Sequence, residues 1–170
     1  LLFFMYFVGL FFYGALSLSE RKAFGAILLI CIASILFWAG FEQAGSSLNL
    51  FTRDFTNRLV ANFEIPTAWF QSINSIFIII LSPFFASLWI NLGKRLTQPY
   101  FGLKCAAGLL TMALGFIVMF FAAQVAASGL KVAPSWLITT YFLHTVGELC
   151  MSPVALSAIS KLSPKRFTGQ

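Results

Sequence analysis

Residues 105–130 read CAAGLLTMALGFIVMFFAAQVAASGL, a stretch of 26 residues without one charged side chain. An α-helix rises about 1.5 Å per residue, so about 20 apolar residues cover the roughly 30 Å hydrocarbon core of a bilayer. A strand of a membrane barrel would instead alternate apolar and polar residues. The stretch therefore predicts a transmembrane helix.

Four further runs of the chain have the same apolar character. They are residues 1–19, 24–50, 65–92 and 132–160. The acidic, basic and imidazole side chains within these four runs are Glu42, His144 and Glu148 alone. The whole chain is 59% hydrophobic and 9% charged, with a mean hydropathy of +0.90, which is outside the usual range of water-soluble domains. The sequence therefore predicts an all-α, polytopic membrane protein.

Lysine and arginine residues divide unequally between alternate loops. One set of alternate loops holds eight lysine and arginine residues, and the other set holds three. Because positive charge collects on cytoplasmic loops, the first set should face the cytoplasm and the second should face outward. We expect the loops at about 20–23, 93–104 and 161–170 on the cytoplasmic side of the cytoplasmic membrane. The net charge of +6 is spread over short loops, which favours anionic lipid neighbours and no nucleic-acid partner. The eight are Arg21, Lys22, Lys94, Arg95, Lys104, Lys161, Lys165 and Arg166, and the three are Arg53, Arg58 and Lys131.

Two carboxylates, Glu42 and Glu148, are predicted within the hydrocarbon layer. An ionised side chain near the bilayer centre costs at least ~2.5 kcal/mol, so each needs a partner or a water-filled cavity. Both lie on polar stripes at helical spacing, and a third helix carries amides and hydroxyls in the same way. The stripes are Ser34, Trp38, Glu42, Ser46 and Asn49; Gln71, Asn74, Ser75 and Ser82; and Thr140, His144, Glu148 and Ser152.

Two prolines fall inside the predicted helices. Pro83 and Pro153 cannot donate to the carbonyls of Ile79 and Leu149, and each should bend its helix. Broken helices beside buried polar groups are typical of the binding sites of transporters. By contrast, the small residues Gly108 and Gly115 predict a close contact between two helices that has only a structural role.

Other interpretations of these residues remain open. Either glutamate could be a structural partner of a cation on another helix, and His144 could be a packing residue hydrogen-bonded to its neighbour. His144 and Glu148 have the spacing of metal ligands, which would suit an intramembrane metalloenzyme, but zinc catalysis needs a third protein ligand. We therefore expect no enzyme, no metal and no cofactor. A channel or a non-transporting membrane subunit is a further alternative.

Several strings resemble the proton-dependent oligopeptide transporters of the major facilitator superfamily. Residues 37–48, FWAGFEQAGSSL, are similar to the motif of the family's seventh helix. Residues 69–74, WFQSIN, followed by Ser82 and Pro83, resemble its eighth helix, except that Ser75 stands where a proline is common. Residues 147–153, GELCMSP, and 161–166, KLSPKR, resemble the tenth helix and the loop after it.

The resemblance implies that the chain is a fragment of the C-terminal half of such a transporter. Residues 20–170 would form a partial helical bundle with membrane helices at about 24–50, 65–92, 105–130 and 132–160, the seventh to tenth of the family. Residues 1–19 would be a preceding helix, either from an accessory hairpin or the sixth helix. The N-terminal bundle of the same protein would be the missing partner.

The resemblance also assigns roles to residues. Glu42 and Glu148 would couple protons to transport, and Trp38, Asn74, Glu148 and Ser152 would line a pocket for di- and tripeptides. Glu42 would pair with an arginine of the first helix, and Glu148 would bind the peptide's amino terminus or pair with a lysine. The implied function is proton–peptide symport by alternating access, and a carrier of nitrate or an amino-acid-like solute is the alternative.

Overall fold

The computed structural model describes Met5, Gly9, residues 17–95 and residues 101–162. The predicted helix over residues 1–19 therefore lies mostly outside the described residues. Of that range the structure describes Met5, Gly9 and residues 17–19, and Leu18 already belongs to the next helix. The elements in chain order are α1 (Leu18–Phe41), a short 3-10 helix (Glu42–Gly45), α2 (Ser47–Phe55), β1 (Leu59–Val60), β2 (Phe63–Glu64), α3 (Thr67–Arg95), α4 (Phe101–Ala127) and α5 (Pro134–Leu162).

Helix α1 begins earlier than the apolar run because its first turn is capped. The Ser17 side chain accepts from the Glu20 amide at 3.3 Å, and the Glu20 carboxylate accepts from the Ser17 amide at 2.8 Å. This reciprocal capping box satisfies amides that have no partner within the helix. Residues 20–23, expected in a loop, thus lie within the first two turns of α1.

The region predicted as one helix over residues 24–50 is interrupted at Glu42. The side chain of Gln43 replaces helical hydrogen bonds there, since its Nε2 donates to the Ala39 carbonyl at 3.3 Å. Its Oε1 accepts from the hydroxyls of Ser46 at 3.2 Å and Ser47 at 2.9 Å. Side chains of these types compete with backbone hydrogen bonds, and this cluster stabilises the break. Glu42 is consequently the first residue of a 3-10 turn.

Helices α4 and α5 approach each other through glycines. A methyl group added at Gly147 would lie 2.9 Å from the Gly108 carbonyl and 2.8 Å from the Thr111 hydroxyl. One added at Gly115 would lie 2.5 Å from the His144 ring. The close contact predicted for Gly108 and Gly115 is present, and α5 also packs on α1 and α3. Small residues give membrane helices this close approach.

Backbone hydrogen bonds join the loop after α2 to the loop between α4 and α5. The turn between β1 and β2 places Ala61 and Asn62 at φ of 48° and 67°, which reverses the chain within two residues. Thr56 pairs with Val132 in an isolated parallel bridge, and the Asn57 amide donates to the Val132 carbonyl at 2.8 Å. The end of α2 is therefore fastened to the segment between α4 and α5.

Large apolar side chains cover the outside of the bundle. Ile79 is 74% exposed, Leu110 62% and Phe120 58%, which suits contact with lipid better than contact with water. Among the described residues, three helical segments are long and apolar enough to cross a bilayer, Leu18–Phe55, Thr67–Lys94 and Phe101–Ala127. Helix α5, with 29 residues, has the length to cross as well, although it is not one of these three.

Candidate functional site

A polar cavity of about 210 Å³ lies beside the break at Glu42. The 3-10 turn supplies one wall, the first half of α3 a second, and α5 a third. The Glu42 side chain is exposed at this break and is therefore accessible to groups outside the described bundle. The lining residues are Phe41, Glu42, Ala44, Gly45, Gln71, Asn74, Tyr141 and His144.

Asn74 connects this cavity to the second predicted carboxylate. Its Nδ2 donates to the Glu148 Oε2 at 3.4 Å, and its Oδ1 lies 2.5 Å from the Thr145 hydroxyl. That hydroxyl also lies 2.7 Å from the Tyr141 carbonyl, so its one proton has two acceptors. Through Asn74 the arrangement joins α3 to α5 and brings Glu42 and Glu148 to the same polar region.

Two buried side chains at the cavity have unused hydrogen-bonding capacity. Tyr141 is 2% exposed, and its hydroxyl has no partner among the described residues. His144 is 1% exposed and packs on Gly115 and on Phe116, with ring centroids 5.1 Å apart and ring planes at 50°. The Met112 backbone lies near the imidazole, but neither ring nitrogen makes a well-formed hydrogen bond within the described part of the chain. The predicted hydrogen bond of His144 to a neighbour is therefore not seen there.

The predicted pocket residues Trp38 and Ser152 stand apart from this cavity. Trp38 is 39% exposed and packs edge-on against Phe37 and Phe41, with ring centroids 5.7 and 5.3 Å away. Ser152 is exposed on α5 beyond Glu148. Of the four residues predicted to bind peptide, Asn74 and Glu148 contact each other, whereas Trp38 and Ser152 are not among the residues that line this cavity.

Some participants were not singled out from the sequence. Tyr141 and Thr145 lie about two turns and one turn before Glu148 on α5, so they fall on the same side of the helix as Glu148. Tyrosine and threonine are common enough in apolar helices that spacing alone did not separate them from packing residues. Their polar contacts become visible only when α3 is placed beside α5.

A second cavity, of about 250 Å³, lies among the outer loops and is strongly charged. Two of its charged residues are paired with each other, because Arg58 forms a salt bridge with Glu64; Arg58 also donates to the Ile65 carbonyl at 2.8 Å. Lys131 donates to the Asp54 carbonyl at 2.6 Å. These contacts fix the loops, so the first cavity is the better candidate site.

A metal site, the alternative suggested by the spacing of His144 and Glu148, would need a cluster of ligands, and the described residues contain none. No group of three or more His, Cys, Asp or Glu side chains lies together there. The three cysteines Cys31, Cys105 and Cys150 are free thiols. The Glu148 carboxylate accepts a hydrogen bond from the side-chain amide of Asn74, which is neither a thiol nor an imidazole.

Long apolar helices that enclose a carboxylate-bearing polar cavity define the class of helical membrane transport proteins. The chain matches the sequence model of the POT family (PTR2) over residues 5–170. It belongs to the POT family, and the predicted family and all-α major facilitator fold are confirmed.

Curated relatives carry names of the same kind. The chain is 42% identical over 168 residues to the "Peptide transporter YePEPT" of Yersinia enterocolitica subsp. palearctica, covering 98% of this chain and 33% of that protein. It is 29% identical over 170 residues to the "Di-/tripeptide transporter" of Lactococcus lactis subsp. cremoris, covering 98% of this chain and 34% of that protein. The chain thus spans about a third of the length of these relatives, which are named as transporters.

Solved structures agree with this assignment. The peptide transporter POT in complex with sulfate superposes with a TM-score of 0.87 at 42% identity, over 98% of this chain and 33% of that one. A POT family transporter in complex with 5-aminolevulinic acid superposes with a TM-score of 0.82 at 29% identity, over 97% of this chain and 34% of that one. The described helices therefore adopt the arrangement of part of a POT transporter, an integral membrane protein.

Proposed function

We propose that the protein containing this chain carries di- and tripeptides together with protons across the cytoplasmic membrane by alternating access. Glu42 and Glu148 are the proposed proton-coupling residues. Trp38, Asn74, Glu148 and Ser152 are the proposed peptide contacts. The observation that carries the proposal is the cavity of about 210 Å³ at Glu42, which Asn74 links by a hydrogen bond to Glu148.

The chemistry of this cavity suits a peptide better than a simple ion. Asn74 and Gln71 present amides, which donate and accept hydrogen bonds as a peptide backbone does. A carboxylate such as Glu148 can pair with the ammonium group at a peptide's amino terminus. The proposed pocket is completed by the remaining N-terminal bundle, which supplies the opposite wall and the cationic partners.

Proton coupling follows from a carboxylate that changes its partner. Protonating Glu42 removes its negative charge and weakens its attraction to a cation on the other bundle. Because linkage is reciprocal, a conformation that separates the pair also favours proton uptake. An inward proton gradient then biases the two bundles toward the conformation that releases peptide inside.

The variant Glu42→Gln tests this mechanism in the full-length protein reconstituted into liposomes. The amide keeps the shape of the side chain but cannot take up a proton. We expect proton-driven uptake of labelled di-alanine to be abolished, while exchange of labelled for unlabelled peptide continues. Uptake is measured with and without an inward proton gradient.

A matched control replaces a carboxylate outside the cavity. Asp54 is exposed in the last turn of α2 and pairs with Arg53 at 2.7 Å, so Asp54→Asn should leave accumulation against a gradient unchanged. Full accumulation by Glu42→Gln would contradict the coupling role of Glu42. Absence of peptide exchange in the unaltered protein would contradict peptide as the substrate.

A carrier of amino-acid-like solutes is the second candidate. It is favoured by the similar POT family transporter whose structure contains 5-aminolevulinic acid, a compound with one amino and one carboxyl group. Competition of 5-aminolevulinic acid and of nitrate with di-alanine uptake distinguishes the candidates. Uptake of labelled nitrate without any uptake of di-alanine would favour an anion carrier, and no saturable uptake of any of the three compounds would favour a non-transporting subunit.

A further inference from the structure

The proline in α5 leaves one backbone carbonyl without its helical donor. In an α-helix each amide donates to the carbonyl four residues earlier, and proline has no amide hydrogen. Pro153 therefore gives no hydrogen bond to the carbonyl of Leu149, the residue directly after Glu148. In a bilayer an unsatisfied carbonyl is costly, so another donor is needed.

That donor comes from the neighbouring helix. The indole Nε1 of Trp89, on α3, donates to the Leu149 carbonyl at 3.3 Å. The ammonium group of Lys104, near the start of α4, lies 4.2 Å from the centre of the same indole ring. The Trp89 side chain thus contacts three helices at the broken turn.

The same two helices are joined one residue away by a second contact. Asn74 on α3 donates to the Glu148 carboxylate at 3.4 Å, while Trp89 donates to the adjacent Leu149 carbonyl at 3.3 Å. Asn74 and Trp89 therefore hold consecutive residues of α5, one through its side chain and one through its backbone. A movement of α5 at Leu149 relative to α3 would change the hydrogen bond to Trp89.

We propose that Trp89 is a positioning residue that supplies the hydrogen bond removed by Pro153 and thereby fixes the turn of α5 that presents Glu148. The role given to Glu148 rests on the proposed function, whereas the hydrogen bond between Trp89 and Leu149 does not. The indole N–H of Trp89 takes the place of the backbone N–H that Pro153 lacks. An indole is suited to this task because it offers a single donor and no acceptor.

The test combines two substitutions in the full-length protein held in lipid nanodiscs. Trp89→Phe keeps a ring for Lys104 but removes the donor, and Pro153→Ala returns an amide to α5. We expect Trp89→Phe to speed amide hydrogen exchange around Pro153 about tenfold, as the loss of one hydrogen bond to a buried group would. In the Pro153→Ala background the same change should alter exchange by less than about twofold, because the carbonyl then has its own helical donor.

A control on the same helix separates this effect from the loss of an indole as such. Trp69 is 59% exposed on α3, and Trp69→Phe should leave exchange around Pro153 unchanged. Equal effects of Trp89→Phe in the Pro153 and Pro153→Ala backgrounds would overturn the proposal. If Trp89→Phe alone does not fold, the double variant should recover folded yield, and failure to recover it would also overturn the proposal.

Peptide uptake by the same variants reports separately on the proposed function. With Trp89→Phe we expect the ratio of the maximal uptake rate to the KM for di-alanine to fall about tenfold, since the loosened turn carries Glu148, a proposed peptide contact and proton-coupling residue. A changed exchange rate in a protein that carries no peptide would leave the positioning role intact and reject only the peptide substrate. Unchanged exchange in a protein that does carry peptide would reject the positioning role alone.

Discussion

Thr145 is the residue at which the polar contacts between α3 and α5 meet. Its hydroxyl is buried and lies within hydrogen-bonding distance of both the Asn74 amide oxygen and the Tyr141 carbonyl. A bond to Asn74 orients that amide, so that its nitrogen points to Glu148. The position of one hydroxyl proton therefore affects a carboxylate on the next turn of the helix.

The substitution Thr145→Val should weaken peptide binding. Valine keeps the shape but removes the hydroxyl, which leaves the Asn74 oxygen without this partner at a cost of about 1–3 kcal/mol. We expect the dissociation constant for di-alanine, measured by calorimetry on the full-length protein, to rise about tenfold.

Thr139 supplies a control for this change on the same helix. It makes the same kind of backbone contact, to the Ser135 carbonyl at 2.9 Å, but its side chain is exposed. Thr139→Val should therefore leave peptide affinity within about twofold of the unaltered protein. Equal losses in the two variants would mean that Thr145 acts through helix stability and not through Asn74.

At this scale the sequence predicted the chemistry of the site better than its contacts. Glu42 and Glu148 stood out because carboxylates are rare in apolar runs, and Asn74 stood out on a polar stripe. Trp89 could not be found in that way, since a tryptophan near a helix end has several ordinary roles. Its partner is a backbone carbonyl on another helix, and helix packing decides that pairing.

At the scale of elements, α4 and α5 form the most closely packed pair in the described part of the fold. Gly147 lies against the Gly108 carbonyl, the Thr111 hydroxyl and the Phe37 ring, with no room for a methyl group. Membrane helices gain association energy mainly from such packing, because lipid tails are as apolar as their side chains. The pair thus serves as a firm support for the Glu148 turn.

The substitution Gly147→Ala should destabilise the bundle. The added methyl group would lie 2.9 Å from the Gly108 carbonyl, a backbone atom that cannot move alone. Overpacking of this kind costs about 1–3 kcal/mol. We expect a lower thermal unfolding midpoint of the full-length protein in detergent, followed by intrinsic fluorescence.

A glycine without neighbours provides the comparison. Gly25 on α1 has nothing within 4 Å of an added methyl group among the described residues, and alanine favours helix more than glycine does. Gly25→Ala should leave the midpoint unchanged or raise it slightly. If Gly147→Ala were as stable as Gly25→Ala, the two helices would not be in the contact described above.

Helix positions followed well from the apolar runs, but the break after Phe41 did not. The run over residues 24–50 is long enough for one helix, and of the residues Gln43, Ser46 and Ser47 only Ser46 belongs to its predicted polar stripe. Their side chains instead bond to one another and to the Ala39 carbonyl. Periodicity cannot separate these two arrangements, because both place the same residues near one another along the chain.

At the scale of the whole molecule, the predicted orientation places the β1–β2 turn outside the cell. A cysteine at Asn62, in a full-length protein without its native cysteines, should react with a membrane-impermeant maleimide added to intact cells. A cysteine at Lys22 should react only after the membrane is opened. Both side chains are exposed, so access to the reagent depends on the side of the membrane.

The opposite labelling pattern would contradict the orientation drawn from the basic residues. Labelling of both positions in intact cells would indicate leaky membranes, which a cytoplasmic marker protein detects. The expected pattern depends on charge sorting between loops, a property of the complete chain during insertion. No contact within the described helices determines it.

The sharp reversal at Ala61 and Asn62 offers an attachment point for structural work. Both residues have positive φ and exposed side chains, and the two strands that carry them pair in antiparallel register. An epitope inserted between them would project from a stiff base instead of a slack linker. A bound antibody fragment would then serve as a fiducial mark in cryo-electron microscopy, where a transporter buried in its micelle presents little else for particle alignment.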